Sequence, residues 1–256
     1  MIQGVLLDLS GVIYNGNRAL PGAREALARL REAGLPLRFV TNTTSKPKQY
    51  LLERVRNFGI ELDQEELFTP AQAACDWLRT HRRSAHLLIH PDLEPDFTNL
   101  PDHPSQAVVL GDAGNYFTYE ALNGAFRALM AGADFLALAN NRTFKDSDGK
   151  LSLDAGAFVA ALQYATRCKP VILGKPSAKF FRAALDSMAC PPECGVMVGD
   201  DAEMDVAGAL TAGLGHGLLV RTGKYQTGHE NAVKPRPTAV VDDIAMAAEW
   251  IIDHTV

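Results

Sequence analysis

From end to end the chain alternates short apolar runs with stretches whose apolar residues recur every three or four positions. That is the pattern of β-α units feeding a mostly parallel sheet. The first run, Val5 to Leu9, is apolar at every position and reads as a central strand covered on both faces. A helix is expected from about Pro21, where proline suits a first turn, to Ala33, with Gly34 stopping it. Leu37 to Thr41 reads as the second strand, and Ser45 is expected to cap a helix over Lys46 to Phe58 that a glycine closes. Thr69-Pro70 opens a third helix in the same way.

The middle of the chain carries its own set of elements. Strands are expected at "AHLLIH", "QAVVLG" and "DFLALA", helices around Tyr119 to Ala131 and Asp154 to Ala165, and a polar turn at "FKDSDGK". This is enough for a small α/β domain. The alternation then resumes with "PVILGK", a helix from about Ala178 to Met188, the strand "GVMVGD", a helix over Ala202 to Ala212, the strand "HGLLVRTG" and a closing helix from Asp242 to about Asp253. The fold class that follows is α/β: a Rossmann-like open parallel sheet built from residues 1–79 and 171–256, with a smaller α/β domain, residues 80–170, inserted through it. There is no internal repeat and no low-complexity segment.

Composition narrows the function. With 256 residues, 47% of them hydrophobic and 21% charged, the chain has the make-up of a soluble globular protein. A formal charge of −5 argues against a general nucleic-acid binder, which needs a basic field to displace counterions. No apolar run approaches the ~18 to 20 residues of a membrane span, and the amino terminus enters a strand without a basic leader. A cytoplasmic protein without nucleic-acid or membrane partners is expected. Four cysteines are too sparse for a disulfide scaffold, and no second Cys or His pair follows Cys190 and Cys194 at zinc-site spacing, so all four read as reduced thiols.

In open parallel sheets ligands bind beyond the carboxyl ends of the strands. The polar residues expected there are Asp8, Thr41, Asn42, Lys175, Asp200 and Asp201. One aspartate at a strand end is more often a turn former or helix cap. As a set the residues read as a phosphoryl-transfer site. Asp8 and Asp200 would repel each other unless a cation sat between them, and hard oxygen ligands in a half-built shell suit Mg²⁺. Lys175 would neutralise a phosphate oxygen and the Asp8 carboxylate, Thr41 and the amides near Asn42 would donate to the remaining oxygens, and Asp8 could attack phosphorus.

"DLSGV", "VTNTT", "GKPS" and "GDDAEMD", in this order with a large insert between the second and third, resemble the four motifs of the haloacid dehalogenase superfamily of Mg²⁺-dependent phosphatases. The place of the insert resembles the capped subfamily that includes NagD and pyridoxal phosphate phosphatase. The resemblance implies that Asp8 is nucleophile and metal ligand, Asp200 the second carboxylate ligand and Asp205 a supporting acid near the metal. It makes Thr41 and Asn42 phosphate binders and Lys175 a charge clamp. It also implies a small phosphorylated substrate and a homodimer paired through cap surfaces.

Position 10 departs from the family pattern. Most of these phosphatases carry an aspartate two residues after the nucleophile, which protonates the leaving oxygen and later activates water; here the residue is Ser10. Its backbone carbonyl can still bind Mg²⁺ as this position does in the family, but a hydroxyl cannot replace the acid, a loss of ~10²- to 10⁴-fold where the leaving group needs a proton. Substrates with good leaving groups are expected: phosphoramidates, acyl phosphates and pyrophosphate. The "D-x-S-G-V" variant, with "RTGKY" and "GDAG", resembles the branch containing phospholysine phosphohistidine inorganic pyrophosphate phosphatase and haloacid dehalogenase-like hydrolase domain-containing protein 2. The alternative is a weakened phosphatase fold that binds a phosphorylated ligand or a protein as a regulator. Asp112, Asn140, Asn141 and Arg142 read mainly as turn formers, Tyr116 and Tyr119 as packing residues of the inserted domain, Asp201 as a helix start, and His216 as a surface or structural residue.

Overall fold

The computed structural model describes residues 1–100, 102–145 and 150–255. Backbone contacts divide the chain into two compact units, one of Met1–Thr41, Leu52–Phe68 and Lys175–Val256, the other of Asn42–Leu51 and Thr69–Gly174. The longer segment of the second unit opens at Thr69. The reason is that the apolar face of the helix Pro70–His81 (Ala71, Ala74, Cys75, Leu78) shares a core with Leu93, Val109, Leu136 and Leu173 of that unit.

The first unit is an open, wholly parallel six-stranded sheet in the order Ala239–Val241, His216–Val220, Gly195–Gly199, Gly4–Leu7, Leu37–Val40, Leu67–Phe68. Gly4–Leu7 is central, as its unbroken apolar run requires, with Val5, Leu6 and Leu7 fully buried. From it the chain moves to Leu37–Val40 on one side and later returns to Gly195–Gly199 on the other. That reversal of strand order opens a crevice beyond the carboxyl ends of the central strands. Helices Ala23–Glu32 and Ile244–Asp253 pack on each other, joined at the surface by Arg29 and Glu249 at 3.1 Å. A small antiparallel hairpin, Tyr14–Asn15 with Arg18–Ala19, follows the first strand directly and lies too close to a turn for periodicity to show it. Arg54 holds it, its guanidinium 4.6 Å from the centre of the Tyr14 ring and 3.2 Å from Asn17 Oδ1.

The second unit has its own four-stranded parallel sheet, ordered Val171–Ile172, Asp134–Ala137, Gln106–Leu110, Ser84–Leu88. A short hairpin pairs Thr143–Lys145 with Leu151–Leu153, and the centre of the expected "FKDSDGK" turn, residues 146–149, lies outside the described residues. Thr69 caps its helix as expected, accepting from Gln72 N at 3.3 Å. Ser45 does not cap the following helix, which spans Lys48–Asn57; the Asp96 carboxylate takes the Lys48 amide instead, at 3.0 and 3.2 Å. A cap supplied from elsewhere in the chain leaves no local sequence signal. Among the described residues no helix is long and apolar enough to cross a membrane.

None of the four cysteines is paired in a disulfide. Burial pushes the Cys75 and Cys190 thiols up to about 11, so at pH 8 only about one in a thousand is ionised. Iodoacetamide at pH 8 is therefore expected to label the half-buried Cys168 and Cys194 well ahead of Cys75 and Cys190 in the native protein. Mass spectrometry of the labelled peptides checks this, and equal native labelling would contradict the packing described.

Candidate active site

Asp8 follows the strand Gly4–Leu7 and Asp200 follows its parallel neighbour Gly195–Gly199. Leu7 is in register with Val198, and the Asp8 amide donates to the Val198 carbonyl at 3.0 Å, so the two carboxylates leave the sheet side by side. The chain then widens into a π turn, Ala202–Ala207, before the α-helical Gly208–Thr211. Asp201 caps that turn through Glu203 N and Met204 N at 3.1 and 3.0 Å, the helix-start role expected of it. The same turn folds Asp205 back over Gly199, where a Cβ would lie 2.3 Å from Asp205 Oδ2. Carboxylate oxygens of Asp8, Asp200 and Asp205 all come within 4.8 Å of one another, and the three residues are buried.

Lys175 follows the second unit's last residue and extends into this cluster. Its Nζ lies 2.6 Å from Asp8 Oδ1 and 2.7 Å from Asp205 Oδ1, and the residue is 3% exposed. Burial works against the ammonium, but the carboxylates of Asp205 and Asp8 outweigh it and raise its pKa. One ammonium does not balance three carboxylates. Burial, with Asp8 and Asp205 alongside, pushes Asp200 well above the usual carboxylate range. Burial also lifts Asp205 to about 7, Lys175 opposing it and Asp8 and Asp201 adding to it. An all-oxygen donor set with excess negative charge suits a hard divalent cation, so the residues fit Mg²⁺.

The remaining expected residues are placed as follows. Thr41, at the end of Leu37–Val40, is buried, its amide bonded to Phe68 O at 3.3 Å. Asn42 belongs to the second unit, where its Nδ2 donates to Asn141 Oδ1 at 3.1 Å. Ser10 is exposed and makes a backbone bridge to Tyr14. Asp112 acts as the turn former expected, accepting from Gly114 N at 3.0 Å. Tyr116, 52% exposed, packs edge-on against His90 of the second unit with ring centres 5.4 Å apart, whereas Tyr119 is 83% exposed, because the first turn of the helix Tyr119–Met130 turns its side chain to solvent. His216 packs edge-on against Trp250 with ring centres 5.5 Å apart, a structural role.

Sequence reasoning missed the loop after His216–Val220. The Lys224 amide donates to Asp200 Oδ2 at 2.7 Å, and the Thr222 hydroxyl donates to the Gly11 carbonyl. Gly223 (φ 61°) and Gly11 (φ 89°) press on the same oxygen: a Cβ at either would fall 1.9 or 2.0 Å from Asp200 Oδ2. The available signal was a glycine directly after a threonine that lies two residues past the strand end.

Two family models match, described as haloacid dehalogenase-like hydrolase over residues 5–99 and HAD-hydrolase-like over residues 172–247. Haloacid dehalogenase-like hydrolase domain-containing protein 2 of Rattus norvegicus is 42% identical over 254 residues, covering 99% of this chain and 97% of its own. The chain belongs to the haloacid dehalogenase-like hydrolases. This hydrolase is also similar to phospholysine phosphohistidine inorganic pyrophosphate phosphatase of Danio rerio, 39% identical over 99% of this chain and 95% of the relative. Among solved structures it is similar to 4-nitrophenylphosphatase from Thermotoga maritima, with a TM-score of 0.88, 28% identity and 97% of each chain covered. It is similar as well to a glycerol phosphate phosphatase from Mycobacterium tuberculosis in complex with magnesium, with a TM-score of 0.80, 27% identity, and 95% of this chain and 75% of that one covered. The hydrolase is an enzyme of the phosphatase type that these relatives represent.

The charge balance sets a pH dependence. Asp205 has a pKa of about 7 in the folded, metal-free chain against 3.8 as its ordinary value, so the folded state binds the extra proton between those limits. In EDTA its contribution to stability is therefore greatest below about pH 4 and falls as pH rises to 7. A divalent cation must displace that proton. The gain in melting temperature on adding Mg²⁺ is expected to grow from pH 5.5 to pH 8 in differential scanning fluorimetry, and a gain independent of pH would contradict the proposed charge balance.

Proposed function

We propose that the chain is a Mg²⁺-dependent phosphohydrolase that acts on small phosphorylated compounds through an aspartyl phosphate formed on Asp8. The observation that carries the reading is Lys175 Nζ, 2.6 Å from Asp8 Oδ1 inside a buried cluster of three carboxylates. A cluster kept only for ligand binding has no need of a nucleophile held in this way, which counts against the regulatory alternative. Asp8, Asp200 and the Ser10 carbonyl would hold Mg²⁺ with Asp205 in support. When bound, the cation offsets the surplus negative charge and polarises the phosphoryl oxygens.

Lys175 orients the Asp8 carboxylate, and Thr41 with the amides near Asn42 receives the phosphoryl oxygens. An oxygen of Asp8 attacks phosphorus; the bond from phosphorus to the leaving atom breaks, and the leaving group keeps the electron pair and takes its proton from solvent. Water then attacks the same phosphorus, the bond from phosphorus to the Asp8 oxygen breaks with its electron pair returning to the carboxylate, and the water's proton passes to solvent as inorganic phosphate leaves. The second unit is the proposed cap that selects the leaving group. Since Ser10 supplies no acid, the reading favours phosphoramidates, acyl phosphates and pyrophosphate, in line with the name of the Danio rerio relative. A homodimer is part of the proposal: the second unit exposes Leu151 and Leu153, 75% and 65% accessible, on its hairpin. Light scattering checks the mass.

Phosphate release in Mg²⁺ and in EDTA from p-nitrophenyl phosphate, an alkyl ester, pyrophosphate, acetyl phosphate and phosphohistidine tests the chemistry. Mg²⁺-dependent turnover biased to the good leaving groups is the expected result, and Asp8→Asn is expected to lose at least about 10³-fold with its fold intact. Most activity surviving in Asp8→Asn would remove the mechanism. Ser10→Asp is expected to raise alkyl ester turnover by ~10²- to 10⁴-fold and to change phosphohistidine turnover little. If it raises neither, Ser10 does not set substrate choice.

A further inference from the structure

We propose that Thr222, Gly223 and Lys224 form a positioning clamp that sets the affinity of the carboxylate cluster for its cation. The clamp holds the Asp200 carboxylate and the Ser10–Gly11 backbone in a fixed relation. The proposal rests on the reading of the cluster as a Mg²⁺ site.

The geometry points to the clamp through three separate contacts. Asp200 Oδ2 accepts from the Lys224 amide at 2.7 Å, so this oxygen is satisfied by backbone and the other is left for the cluster. Gly223 and Gly11 close on Oδ2 from two loops, with no room for a Cβ at either position. A Cβ at Gly223 would also lie 2.6 Å from the Gly11 Cα, so the two loops touch backbone to backbone. The Thr222 hydroxyl closes the contact by donating to the Gly11 carbonyl. Asp200 is 2% exposed and sits beside Asp8 and Asp205, where repulsion drives its carboxylate outward. An amide and two glycines behind Oδ2 oppose that motion. Groups of this kind, which orient a ligand without touching the metal, typically govern affinity by about 10- to 100-fold.

Lys224 contributes in two ways, through its backbone amide and through an ammonium that lies 3.8 Å from Asp201 Oδ2 and acts on Asp200 from farther off, so replacing it would change both charge and contact. The side chain of Thr222 is therefore the part of the clamp that a substitution can remove cleanly. Thr222→Ser keeps the hydroxyl, and Thr222→Val keeps the shape without it.

Isothermal titration calorimetry of Mg²⁺ into the metal-free protein, without substrate, tests the proposal. Thr222→Val is expected to weaken Mg²⁺ binding about tenfold, and Thr222→Ser to bind as the parent does. In turnover assays the loss is expected in the Mg²⁺ concentration for half activity far more than in kcat. Gly223→Ala, which places a methyl on Asp200 Oδ2, is expected to lose measurable Mg²⁺ binding. Melting in EDTA reports folding; if Thr222→Val melts early, Thr222→Ala carries the same comparison without a methyl against Gly11. Equal Mg²⁺ affinity in the parent and a folded Thr222→Val or Thr222→Ala would overturn the clamp and leave the Mg²⁺ site standing. A parent protein that binds no Mg²⁺ would overturn both.

Discussion

The ammonium of Lys175 is the interaction on which the site depends. It bridges Asp8 and Asp205, and it sits in surroundings where an unpaired charge of either sign is costly. Its two short ion pairs make the burial of two of the three carboxylates tolerable. The third, Asp200, accepts from the Lys224 amide and feels that residue's ammonium only from farther off. The site is therefore a charge-deficient arrangement held together by the sheet, and this deficit makes it receptive to a divalent cation.

The sheet supplies that rigidity. Gly4–Leu7 and Gly195–Gly199 pair in register over four residue pairs, from Gly4 with Gly195 to Leu7 with Val198, so the relative height of Asp8 and Asp200 is fixed by main-chain hydrogen bonds rather than by side-chain packing. Glycines then decide how closely the acids approach one another. Gly199 admits Asp205 from behind, and Gly11 lets the chain turn away beside Asp200. Buried repulsion of this kind is stable only where the backbone leaves the groups nowhere to go.

Much of this was legible in the chain itself. The apolar runs ending in Asp8 and Asp200 announced strands whose carboxyl ends carry acids, and the fully apolar character of Val5 to Leu7 announced a central strand. Thr69 before Pro70 announced a capped helix. What escaped the reading has a common physical cause: it depends on residues far apart in sequence. The Asp96 cap on Lys48, the packing of the helix Pro70–His81 with the second sheet, and the Lys224 amide on Asp200 all need the folded chain to bring them together. The "RTGKY" segment was visible as a resemblance but had no role until its loop was seen against Gly11. Tyr119 was misread because aromatic character alone does not tell which way a helix's first turn points.

One carboxylate oxygen of Asp200 occupies the space that two missing Cβ atoms would need, one from each end of the chain. The acids alone are thus an incomplete signature of this site. A pattern search built on the aspartates and the lysine would accept chains with side chains at the positions of Gly11 or Gly223, and those chains could not assemble the same cluster. Pairing the two glycines with the acids turns a list of reactive groups into a description of the space they share.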